Sequence, residues 1–126
     1  MTTREQLAQR RLTREYIKLS PLHVRMTSYE RLDDDMGGWR YIRGEQRYTQ
    51  TFRLIENSQA GSNAAVVSIN VDGVVREIEF LLLGDYCADI RLHDRFEKDG
   101  DEFQVVEIWP DNGWEKRASV IRHARS

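Results

Sequence analysis

Apolar positions along the chain change period once, at Pro21. Upstream, "REQLAQRRLTREYIKL" is rich in strong helix formers and holds neither glycine nor proline. Thr3 stands in N-cap position with Gln6 three residues on, the spacing of a capping box. The pattern predicts a helix from about Thr3 to Leu19, with Leu7, Leu12, Tyr16 and Ile17 as a thin apolar stripe. Arg4, Arg10, Arg11, Arg14 and Lys18 face only Glu5 and Glu15, so this cationic helix suits a place against a neighbour better than one in a core. Ser20-Pro21 ends it, because proline disfavours helical backbone at the residue before it.

Downstream the period is two. In "LHVRMTSYERL", Leu22, Val24, Met26, Ser28 and Glu30 share one face, and His23, Arg25, Thr27, Tyr29 and Arg31 share the other. "DDDMGGW" breaks the strand with Asp33, Asp34, Asp35, Gly37 and Gly38, the composition of a loop or hairpin tip. "WRYI" and "YTQTFRLI" resume the extended pattern. "ENSQAGSNAA", Glu56 to Ala65, has no large apolar residue and reads as a mobile polar loop. Asp72-Gly73 then marks a tight hairpin, since these residue types tolerate the positive φ such a turn demands, with Val74 to Leu83 as the return strand. "GDYCADI" is a turn leading into a short strand, and "RFEKDGDEFQVVEI" is a second hairpin around Asp99-Gly100. "PDNGW" turns again, and "KRASVIRH" is the last strand. Short strands at close spacing with Asp-Gly and Asn-Gly turns predict an all-β fold: a small antiparallel β-barrel with an N-terminal α-helix and long polar loops. The helix takes residues 1–20 and the barrel domain residues 21–126.

Composition narrows the function more than the fold. With 126 residues the chain is one domain in size. Charged residues make up 32%, but 19 basic and 21 acidic groups nearly cancel, which gives no global drive toward nucleic acid or anionic membrane. Cys87 is the single cysteine, so an intrachain disulfide and a thiolate metal cage are both excluded. No apolar run approaches the ~20 residues of a membrane span. The N-terminus carries charges where a signal peptide needs an apolar stretch, so a soluble, reduced, cytoplasmic protein is expected.

The sharpest chemical candidate is "DRFEKDGDEFQVVEI", Asp94 to Ile108, with acids at 94, 97, 99, 101, 102 and 107. Alternation leaves most of them on the outer face or in the turn; only Glu107 shares a face with Phe103 and Val105. Carboxylates used for acid–base chemistry must converge in a shielded cleft, which a hairpin tip does not provide. A calcium loop needs regularly spaced oxygen ligands over a dozen residues, and Phe103 intrudes too early. Asp33, Asp34 and Asp35 are adjacent and converge poorly on one ion, so a solvated or DNA-repelling loop is expected there. His93 and Asp94 point to opposite sides of an extended chain, in a turn preceding a strand. Cys87 reads as a small, partly buried thiol, and Trp39, Trp109 and Trp114 as core-edge or interface residues. No GxSxG, HExxH or phosphate-binding glycine loop is present. The expectation is no enzyme, no metal, no cofactor and no catalytic residue.

Several stretches taken together resemble a known family. "REYIKLSPLHVRM" is a helix, Ser-Pro and an alternating strand; "GGWRYIRGEQRYTQTFRLI" is a glycine tip before a strand with Gln50 and "RLI". "FLLLGDYCADIRLHDRFEKDGDEFQVVEIWPDNGWEKRASVI" carries Leu83-Gly84, Ala88-Asp89-Ile90, Asp94-Arg95-Phe96, Gly100, Phe103, Val105 and Val106. This ordering, over about residues 14 to 122 apart from the polar loop, resembles the head-closure (stopper, head–tail joining) proteins of long-tailed bacteriophages. His93 departs from the resemblance, standing where many relatives have glycine before the aspartate.

The resemblance implies a small β-barrel with long loops and a structural virion protein of the phage neck. Copies would form a homo-oligomeric ring, sixfold or twelvefold, between the portal or adaptor above and the tail terminator or tail tube below. The ring would close the head and retain the packaged DNA in its channel, with no membrane partner, after assembly in the host cytoplasm. It implies no catalytic residue. The candidate channel- or partner-facing loops are Asp33, Asp34, Asp35, Gly37 and Gly38, and Gln59, Gly61 and Asn63. The alternatives are another neck or tail connector, or an OB-like nucleic-acid-binding module. Adaptors are mostly helical and tail terminators are α/β, which the dominant period of two disfavours; the OB-like module needs a basic, aromatic-studded face.

Overall fold

The computed structural model describes residues 3–56, 68–71, 74–77 and 80–123. One helix, α1 (Arg4–Leu19), precedes eight strands: β1 (Leu22–Asp33), β2 (Trp39–Glu56), β3 (Ser68–Val71), β4 (Val74–Glu77), β5 (Phe80–Asp85), β6 (Arg95–Lys98), β7 (Asp101–Ile108) and β8 (Glu115–His123). Six of them join edge to edge in the order β1-β2-β5-β8-β7-β6 and close on themselves, every pairing antiparallel. The molecule is thus mostly β, with one N-terminal helix and a six-stranded antiparallel sheet closing in a ring. β3 and β4 form a separate two-stranded hairpin.

Alternation builds the interior. Val24 and Met26 of β1, Phe52 of β2, Leu82 of β5, Phe96 of β6, Phe103 and Val105 of β7, and Ala118 and Val120 of β8 meet inside the ring. Phe96 and Phe103 are register partners across β6 and β7, and their rings stack with centroids 5.2 Å apart. Phe80 meets Phe103 edge-on at 5.3 Å. Gly84 permits this packing: a Cβ there would lie 2.6 Å from the Ala88 Cβ and 3.1 Å from the Phe52 ring.

Helix α1 starts as its sequence predicts. The Gln6 amide donates to Thr3 Oγ1 at 3.1 Å, and the Thr3 amide donates back to Gln6 Oε1 at 3.3 Å, a complete capping box. Only Thr13 and Ile17 are buried. Arginine contacts seat the helix instead. The Arg10 guanidinium lies 3.8 Å from the centre of the Tyr86 ring, and Arg53 lies 3.9 Å from that of Tyr16. Arg10 Nε also donates to the Gly113 carbonyl at 3.0 Å.

Val74 to Leu83, expected as one return strand, holds β4 and then β5, with residues 78–79 between them outside the described residues. The Asp72-Gly73 turn also lies outside the described residues. The strands differ from a plain period-two reading in three places. Register slips on both sides of Thr27 turn this residue, expected to face out, into a buried one. A slip between Val105 and Glu107 leaves Glu107 exposed rather than beside Phe103 and Val105, because the extra residue reverses the parity. Finally, no strand forms within 86–94.

Candidate interaction surfaces

β1 touches β6 at one register pair, Thr27 with Arg95, and β2 touches β5 only from Arg53 onward. Beyond these points β1 and β2 continue together as far as Asp33 and Trp39. The result is a two-stranded ribbon that outruns the ring, its outer half pairing with no third strand among the described residues. Its base is anchored by aromatic and polar contacts. The Arg95 guanidinium stands 4.4 Å from the Tyr29 ring centre and 5.1 Å from that of Tyr41, and Arg95 pairs with Glu102 at 3.0 Å. Buried Gln104 donates to the Tyr41 hydroxyl at 3.3 Å and lies 2.7 Å from His123 Nε2. Tyr41 is 5.2 Å from the His93 ring. Gln104 does face away from the core, as alternation predicts, yet the ribbon covers it.

At the tip the three adjacent aspartates have three different surroundings. Asp34 is consumed by the loop: its Oδ1 accepts from the Met36 amide at 2.9 Å and the Gly38 amide at 2.7 Å, and its own amide donates to the Gly38 carbonyl at 2.8 Å. Gly37 has φ 82°, where a side chain would be strained. A Cβ on Gly38 would lie 2.6 Å from Asp34 Oδ2, so both glycines are needed for this closure. Asp33 lies 3.4 Å from Arg31 Nε, and Asp35 is exposed. Leu32, Trp39 and Ile42 are also exposed nearby, and Met36 is 92% exposed. An open cleft of about 320 Å³ runs among Leu32, Asp33, Asp34, Asp35, Trp39 and Arg40. Gln59, Gly61 and Asn63 lie outside the described residues.

The acid-rich segment requires a correction. Asp94 is not on a wet outer face: it is fully buried. Arg47 donates to it through Nη1 at 3.0 Å and again through Nη2, and the Arg91 amide donates to Oδ2 at 2.8 Å. Arg47 Nη2 also donates to the Asp89 carbonyl at 3.0 Å. The hydrogen bond to Asp94 pushes the Arg47 pKa above the ordinary guanidinium value, against the opposing effect of burial. Beside it, Gln50 holds the Asp89 backbone by both ends, accepting from the amide at 2.7 Å and donating to the carbonyl at 3.1 Å. These contacts pin the 85–94 connection to β2. No local pattern announces a pair 47 positions apart, so sequence alone does not find it.

The remaining acids of that segment do not converge. Asp99 and Gly100 take φ 53° and 82° in the expected tight turn, Glu102 pairs with Arg95, and Asp101 lies 4.0 Å from Arg122. Glu115, unforeseen, is buried beside Arg117 Nε at 2.6 Å and accepts from Asn112 at 3.1 Å. Cys87 is exposed rather than partly buried, because its turn holds it by the backbone, through its amide to Asp85 Oδ1 at 2.9 Å. Among the described residues no group of three or more His, Cys, Asp or Glu gathers as metal ligands do, and no helix is long and apolar enough to cross a membrane. The arrangement offers contact surfaces: a ribbon tip, a cationic helix and the margins of the ring. Comparison with known protein families and with curated proteins finds no match to this chain.

Proposed function

We propose that the chain is a structural subunit of the neck of a long-tailed bacteriophage, a small antiparallel barrel whose copies form a ring that closes the head and retains packaged DNA. The observation that carries this reading is the β1–β2 ribbon. It outruns the sheet and ends in a loop braced by Asp34, Gly37 and Gly38, with Asp35 and Met36 presented to solvent. A lone monomer gains nothing from such an arm, whereas a ring subunit needs contacts that reach a neighbour or the lumen. Carboxylates facing a channel repel phosphate, so DNA halts or slides there without adhering. The resemblance across residues 14 to 122 supports the same reading.

DNA-filled heads that carry portal and adaptor but lack this protein provide the test. The purified chain is expected to bind them and to hold the DNA against release. Replacing Asp35 by lysine is expected to leave folding intact and to change retention. Binding with no effect on DNA loss, or no binding, contradicts the proposal. The second reading, a nucleic-acid module of OB type, draws on the cleft of about 450 Å³ at the β1–β6 seam, where Arg25, Arg43 and Arg95 lie with Tyr29. Glu97 and Glu102 line the same cleft and offset the cations. A steep fall of DNA affinity with salt for the isolated chain would favour that module.

A further inference from the structure

Two surfaces of this chain expose apolar side chains beside charges of opposite sign. The first is the tip of the β1–β2 ribbon. Met36 stands out from it, and Leu32 and Trp39 wall the open cleft there. The loop from Asp33 to Trp39 carries three acids and no cation. The second is the outer face of α1. Ala8, Leu12, Tyr16 and Leu19 fall at i, i+4, i+8 and i+11, a stripe distinct from the one that buries Thr13 and Ile17. Leu12 is 61% exposed and Leu19 is 76% exposed. Arg10 and Arg14 lie against Tyr86, which leaves Arg4, Arg11 and Lys18 exposed beside the stripe.

We infer that the ribbon tip of one copy docks on the α1 stripe of a second copy, and that this contact propagates the ring. Charge complementarity selects the occupant. The acidic loop meets a helix with five cations against two acids, whereas α1 against α1 would set cation against cation. Methionine and tryptophan are residue types that interfaces favour, and the cleft between Leu32 and Trp39 gives a leucine of the stripe a place to enter. Reach rules against a contact within one copy. Helix α1 is seated at the far end of β2, where Arg53 Nη1 donates to the Tyr16 carbonyl at 2.8 Å. From Trp39 to Arg53 the strand covers roughly 45 Å, at about 3.3 Å per residue. β1 pairs along this length, from Leu22 opposite Phe52 to Asp33 opposite Trp39, so the tip does not fold back on its own helix. Tip and helix are different surfaces; the contact is head-to-tail and builds a closed ring or a chain of copies.

This inference rests on the ring reading above and sends the arm to a neighbour; one experiment separates the two. In a Cys87→Ser background, Met36→Cys is placed in one chain and Leu12→Cys or Leu19→Cys in another. Equal mixtures are bound to the DNA-filled heads, oxidised mildly and run on a gel without reductant. A mixed disulfide is expected, and chains carrying both cysteines are expected to give a ladder of oligomers. Asp35→Arg and Arg11→Glu, both at exposed positions, are expected to keep the fold by circular dichroism. Each alone is expected to lower assembly about tenfold, and the two in one chain to restore most of it. No recovery in the double reversal overturns the inference, as does a double-cysteine chain that closes within itself. Binding to the heads with no mixed disulfide at either helix position overturns this contact and leaves the ring reading standing. No binding to the heads removes both.

Discussion

At the scale of single residues, what matters is which charges are dry. Asp94 is fully buried, and the Arg47 side chain is 9% exposed. Removing one partner strands the other in a low dielectric, so Arg47→Ala is expected to cost about 3–5 kcal/mol in urea unfolding. The double variant Arg47→Met, Asp94→Leu is expected to lose much less, because no unpaired charge remains. The raised pKa of Arg47 means that its contribution is present below the unfolded value and is lost only as pH rises through a still higher folded value. Its share of stability is therefore flat between pH 6 and 9, which unfolding midpoints across that range will check. Asp111 behaves in the opposite sense. The Lys116 ammonium, then the Gly113 amide, hold its carboxyl below the usual range. Its contribution is present above the unfolded pKa of about 4 and fades as pH falls through the lower folded value. Lys116→Met is expected to move the Asp111 titration upward by NMR.

At the scale of elements, legibility follows the range of the forces. The helix was plain because its start is a local device, Thr3 with Gln6, and Ser20-Pro21 ends it. The Asp99-Gly100 hairpin was equally plain, since a tight turn is decided by the residues in it. The tip loop was legible as a loop, but its three aspartates were indistinguishable until the Met36 and Gly38 amides were seen to converge on Asp34. Strand faces were lost wherever a bulge reversed parity, at Thr27 and before Glu107, because a bulge is set by the partner strand rather than by its own sequence. The Arg47–Asp94 pair was invisible for the same reason. Gly84 illustrates the point in packing terms. As the first residue of "GDYCADI" it read as part of a turn, yet it lies in β5 and makes room for Ala88 and Phe52. Gly84→Ala is expected to destabilise by about 1–3 kcal/mol, since the clash is with a methyl group and a core ring in a closed sheet. A thermal midpoint unchanged from that of the parent would contradict this account of the core.

At the scale of the whole molecule, the ring of strands closes thinly. The β1–β6 side holds by one register pair, whereas β7 and β8 share a long ladder. Around this ring sit a helix seated mostly by arginines and a ribbon that outruns its neighbours. Each is poorly explained by the stability of a monomer and well explained by contacts with other copies or other proteins. Under the proposed neck role, electron cryo-microscopy of a tailed-phage particle assembled with this chain tests that most directly. The account predicts density for a closed ring of copies between the adaptor and the tail, with the β1–β2 tips at the lumen or on a partner. A particle whose neck is complete without this chain contradicts it.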